Sequence, residues 1–208
     1  MTVPAMSSTD RALLKNRIVG ILRSHAVQSI NFVAAAVHIN HSLYSELASL
    51  VLSDKVHLGV DPNMTIEFFG EYHAPSDSLT LRKASIGTLS EESKVVHELT
   101  HAAVDLLDLP KTRGLHRTEI EAISYIAQRV YSRLLHADPA QKQWPRLAHV
   151  ADGIAAKVVA TRPHLYHVSE SEIVSLRNAI GQHRSYHLYR GDPAPSDGIP
   201  TREHSGRM

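Results

Sequence analysis

Two histidines and a glutamate, at the spacing His97-Glu98-Leu99-Thr100-His101, are the residues of this chain best placed to do chemistry. Four residues apart on a helix, the histidines stand one turn above each other on one face, separated by about 6 Å along the axis. Both imidazoles can then reach a single ion at about 2.0–2.1 Å. Glu98 is turned by about 100° on the wheel, beside the open position of such an ion, where a carboxylate can take a proton from water. With 15 His among 208 residues, a match of this kind arises by chance with a probability on the order of 0.06, so the surroundings have to support it.

A catalytic zinc site uses three protein ligands and keeps a fourth position open. Val104 and Leu107 stand where a His-x-x-Gly-x-x-His continuation would need its glycine and third histidine. The third ligand is therefore sought on the following helix, where Glu119 and Glu121 are the candidates. Each has a plainer reading. Thr118-x-x-Glu121 is itself a capping box, and Glu119 is an acid favoured by the dipole of a first helical turn.

The elements that must position these residues follow from periodicity. The motif helix is predicted over 90–107, opened by the capping pattern Thr88-Leu89-Ser90-Glu91 and stopped before Pro110. Val95, Val96, Leu99, Ala102, Ala103, Leu106 and Leu107 share one face, and His97, His101, Asp105 and Asp108 the opposite one, with Glu98 at its edge. That pattern fits a cleft lining and equally a solvated face. A second helix is predicted from Thr118 to Leu135, buried along Ile123, Ile126, Ala127, Val130 and Leu134, with Glu121 opposite that stripe. Upstream, a helix begins at Asp10 as its cap, and Ile30–Ile39 and Leu43–Leu52 read as two more helical pieces. Strands are predicted at Val56–Val60, Met64–Phe69 and Ser78–Arg82. The last of them precedes the motif helix and could edge a cleft and pair with an extended peptide; the plain alternative is a sheet that only covers the helices. Trp144–Thr161 and Ser169–Gly181 read as further helices, and Lys111–Arg117 as a solvated basic connector.

The fold class expected is α+β, mostly helical with a small three-stranded sheet ahead of the motif helix. One domain is expected over residues 10–190, between a flexible 1–9 and a disordered tail at 191–208. A formal net charge of +1 gives no field that would draw nucleic acid. The absence of cysteine excludes disulfides and thiolate zinc sites. No secretory apolar core is seen over Met1–Gly20, and the early apolar run Phe32–Val37 is broken by His38, so neither a signal peptide nor a membrane span is expected. The expected location is the cytoplasm, or export without a classical signal, as for a delivered effector.

From His97 to Ser124 the chain resembles the thermolysin-like zinc metallopeptidases, the gluzincins. The resemblance rests on His97-Glu98-Leu99-Thr100-His101-Ala102 with Asp105, followed at the family's separation by Glu121-Ala122-Ile123-Ser124. It implies a minimal zincin-like fold, a Zn2+ cofactor held by His97, His101 and Glu121, and Glu98 as general base; Glu119 stays, from the reading of the residues, as the reserve ligand. That family orients its histidines with an Asn just before the ligand Glu and an Asp four residues after it. Ile120 and Tyr125 stand there in this chain, so another partner is needed, and Asp105 is the candidate. The implied activity is zinc-dependent hydrolysis of peptide bonds in a peptide or protein substrate, cell-wall peptides included. Related enzymes steady the oxyanion with a His or Tyr from the C-terminal part. Tyr125, His164, Tyr166, His167, His183, Tyr186 and His187 are eligible, with Tyr125 and His167 put forward. The alternative is a non-catalytic zinc-binding domain for regulation or partner binding, which would have no use for Glu98.

Overall fold

In a computed structural model of the chain, which describes residues 6–65, 69–107, 115–136 and 145–182, the motif stretch lies in the middle of an α-helix, as its spacing requires. The architecture is α+β. The chain begins with α1 (Ser8–Leu22) and α2 (His25–Gln28), followed by the hairpin strands β1 (Phe32–Ala34) and β2 (Val37–Ile39) and then α3 (His41–Leu52). Next come β3 (His57–Val60), β4 (Gly70–His73), a 3-10 turn at Ala74–Ser76 and β5 (Ser78–Leu81). The motif helix α4 (Leu89–Asp105) leads to α5 (Arg117–Leu134), α6 (Pro145–Thr161), the short strand β6 (Tyr166–His167) and α7 (Glu170–Gly181).

Local chemistry sets the helix ends. Thr88 caps α4 by accepting the Glu91 N–H, and the Glu91 carboxylate returns to the Thr88 N–H, which is the capping box read from the sequence. Ser169 and Glu172 do the same for α7. The cap of α1 is Ser7 rather than Asp10, so residues 8 and 9, expected in a flexible end, are helical.

Two expectations are corrected. The segment Ile30–Ile39 is a β-hairpin, not a helix, and β6 joins it in parallel to make a second sheet of order β2-β1-β6. Its turn residues Ala35 and Ala36 have φ of 47° and 61°, the left-handed pair of a tight hairpin turn that Asn-Gly usually supplies. Alanine at both positions hid the turn. In the other sheet the order is β3-β5-β4. Ser78–Leu81 is therefore the central strand, paired in parallel with β3 and antiparallel with β4. The edge that meets α4 is β4, which starts after the predicted Met64–Phe69.

Helix α4 packs most extensively on α5, which also carries α6 and α7. Every residue of α5 from Ile120 to Ser132 is buried, so this helix has no solvent face, and Glu121 lies inside the molecule rather than opposite a buried stripe. The expectations for Asp108, for 111–114 of the basic connector, for His183, Tyr186 and His187, and for 191–208 lie outside the described residues.

Candidate metal centre

The site is built where α4 and α5 face each other. His97 and His101 project from α4 at the spacing of one turn, and Glu121 meets them from α5. His97 Nε2 lies 3.2 Å from a Glu121 carboxylate oxygen, the two imidazole Nε2 atoms lie 3.2 Å apart, and His101 Nε2 lies 3.6 Å from the same carboxylate oxygen. Three ligands at about 2.0–2.1 Å from a tetrahedral zinc are separated from one another by about 3.3–3.4 Å. The observed triangle therefore has the edge lengths of one face of a zinc tetrahedron. Hydrogen bonding alone accounts for it poorly, because two imidazole nitrogens that both donate to one oxygen present like partial charges to each other at 3.2 Å. The donor set of two imidazoles and one carboxylate is that of a catalytic zinc site.

Glu119, the reserve candidate, is elsewhere. Its carboxylate accepts the His116 N–H at 2.8 Å and pairs with Arg177 of α7 at 2.9 Å. It caps α5 and ties that helix to α7.

Glu98 sits on the strand side of α4. Its Oε2 accepts the Tyr72 N–H at 3.1 Å. The approach is close because the neighbouring β4 residue is Gly70, where a Cβ would stand 2.6 Å from Leu81 Cδ2 and 3.3 Å from Glu98 Cγ. The Tyr72 hydroxyl then donates to buried Asp105 at 2.9 Å, so one strand residue grips α4 at both Glu98 and Asp105. Gly70 and Tyr72 were not foreseen. A lone glycine and a tyrosine ahead of a turn give no sequence signal for a contact across 26 residues.

The charges interlock. Burial raises the Glu98 pKa above the ordinary carboxylate range; His97 and His101 pull it back, Glu121 adds to the rise, and the Tyr72 N–H opposes it. Burial also works against the charged form of Glu121, but His101 and His97 outweigh it and hold that carboxyl well below the usual range. For His101, burial is overcome by Glu121 and Glu98, which leave the imidazole more basic than usual despite opposition from Arg117. A dication at the triangle would further favour the carboxylates and the neutral imidazoles.

Of the supporting candidates, Asp105 and Tyr125 lie at the motif helix and His167 does not. Asp105 is buried beneath the motif and bonded to the Tyr72 hydroxyl. Tyr125 sets its ring edge-to-face on His97, with centroids 4.5 Å apart, while His97 Nδ1 is buried with no hydrogen-bond partner among the described residues. The His97 ring is thus oriented by aromatic packing. His167 is not at the site: it lies exposed on β6, in the sheet that does not contain β4, because β6 pairs with β1. Tyr166 gives its hydroxyl to Glu172, and His164 is exposed in the turn before β6. Thr100, inside the motif, donates to the Val96 carbonyl at 2.7 Å and meets the Tyr44 hydroxyl of α3 at 2.9 Å, which fastens the back of α4 to the N-terminal half.

No described helix is long and apolar enough to cross a membrane. No protein-family model, no curated protein and no solved structure matches the chain.

Proposed function

We propose that the protein is a zinc-dependent metallopeptidase, with His97, His101 and Glu121 as the metal ligands and Glu98 as the general base. The observation that carries this reading is the triangle of donor atoms with edges of 3.2, 3.2 and 3.6 Å, held between two packed helices. Its support beyond the triangle is Glu98, a carboxylate beside the donors that a purely structural ion would not need.

Zinc bound there would supply Lewis acidity toward the scissile carbonyl and would lower the pKa of the attacking water. Glu98 takes a proton from that water as its oxygen bonds to the carbonyl carbon, and hands the proton to the amine nitrogen as the C–N bond breaks. The Tyr72 N–H fixes which carboxylate oxygen is free to act. Substrates on this reading are peptides or proteins, cell-wall peptides included.

The test is metal content and hydrolysis together. Wild-type protein is expected to hold about one zinc per chain, by analogy with other three-ligand sites, and to cut a mixed peptide pool in a chelator-sensitive way. Glu98→Gln should keep the zinc and lose at least about a hundredfold in turnover. Glu121→Ala should lose the zinc. Zinc retained by both wild type and Glu98→Gln, with no hydrolysis by either, would favour the non-catalytic zinc domain, and a protein that takes up no zinc would refute both readings.

A further inference from the structure

Between Ser93 and Asp105 the motif helix is buried except at Lys94, Glu98 and His101. Spacings of four and three residues put these on one stripe, within about 60° of each other on the wheel. A molecule that approaches the candidate metal along α4 therefore passes Lys94. One turn, about 5.4 Å, separates Lys94 from Glu98.

Lys94 is half-buried, and among the described residues no carboxylate lies within ion-pair distance of it. Glu91, three residues before it and the acid whose charge acts on it, is committed elsewhere. Its carboxylate binds Lys83 at 2.6 Å and accepts the Gly87 and Thr88 N–H groups at 2.9 and 3.2 Å. The other charge that Lys94 feels is Arg82, just past the end of β5, which has the same sign. Burial and Arg82 both lower the Lys94 pKa, against a smaller pull from Glu91. An ammonium kept partly out of water beside another cation is a cost to the fold, and sites tolerate such costs where a ligand relieves them.

Building on the metallopeptidase reading, we propose that Lys94 is a specificity-determining residue that receives a carboxylate from the substrate residue adjoining the scissile bond. An extended chain advances about 3.3 Å per residue, so a group one helical turn from Glu98 reaches the neighbouring residue and not a distant one. The carboxylate is either an Asp or Glu side chain or a free chain terminus.

Two small zinc-binding probes test this: succinic acid monohydroxamate, which carries a carboxylate, and butyrohydroxamate, its neutral counterpart. Calorimetric titration of zinc-loaded wild type should show the acidic probe binding about tenfold tighter, a difference of about 1.4 kcal/mol, and the preference should shrink at high salt. Lys94→Met should abolish the preference while leaving zinc content and butyrohydroxamate affinity as they are, and Lys94→Arg should retain it. Equal affinity for the two probes in wild type, or a preference that survives Lys94→Met, overturns the assignment and leaves the metallopeptidase reading standing. A wild type that takes up no zinc overturns both. Cleavage mapping separates the two sources of the carboxylate. An amidated peptide library with internal Asp and Glu is cut beside those residues if the side chain is read, whereas a free-acid library without them is cut at the terminal bond if the terminus is read.

Discussion

Tyr125 presents its ring to His97 at the position where an acid would ordinarily be expected to orient a ligand histidine. The contact with His97 is made by the ring, so Tyr125→Phe should keep wild-type zinc affinity, and Tyr125→Ala should lower it by about tenfold or more, measured by competition with a chromogenic chelator. A loss of affinity in the Phe variant would show that the hydroxyl, not the packing, does the orienting. At this scale the sequence was most informative where one helix carried the residues. His97, Glu98 and His101 share α4, so their spacing alone predicts their convergence. Glu121 needed a second helix docked at one register, and periodicity left it level with Glu119; the structure separates them because Glu119 is spent on the α5 cap and on Arg177. Gly70 and Tyr72 depend on strand-on-helix packing, which no local pattern encodes.

The least legible element was the hairpin of β1 and β2. Its composition, three alanines within an apolar run, favours helix by intrinsic propensity, yet Phe32, Ala34, Val37 and Ile39 all point into the core. Tertiary burial outweighs propensity, and the turn carries the strain in two left-handed alanines. Replacing Ala35-Ala36 by Asn-Gly should therefore stabilise the protein by about 1 kcal/mol or more, read as a higher urea midpoint at unchanged slope. A lower midpoint would mean that the alanine methyls make contacts worth more than the strain. The helices were far easier to read because their ends are written in side chains: Thr88 with Glu91 and Ser169 with Glu172 mark two starts directly.

For the molecule as a whole, the candidate ion would clamp α4 to α5, the pair of helices with the most extensive packing. Binding to the folded state alone then adds global stability. Free zinc at a hundred times its dissociation constant is worth about 2.7 kcal/mol, which for a chain of this length raises Tm by about 5–11 °C. A thermal melt with zinc and with chelator should show that gap in wild type and not in Glu121→Ala; an equal gap in both would place the ion elsewhere. The α+β class and the helices α1 and α3 to α7 were readable from periods of 3.6 and 2. The second sheet was not, since it needs β6 to return beside β1 from 134 residues away along the chain, the interval from Val33 to His167. The enclosure of α5 also bears on synthesis. Its outer side is covered by α6 and α7, which leave the ribosome after it. Until they emerge, a nascent chain that already carries all four proposed active residues exposes the apolar flank of its central helix to water and to chaperones. Maturation of the site thus waits on a C-terminal third whose described residues supply none of the four.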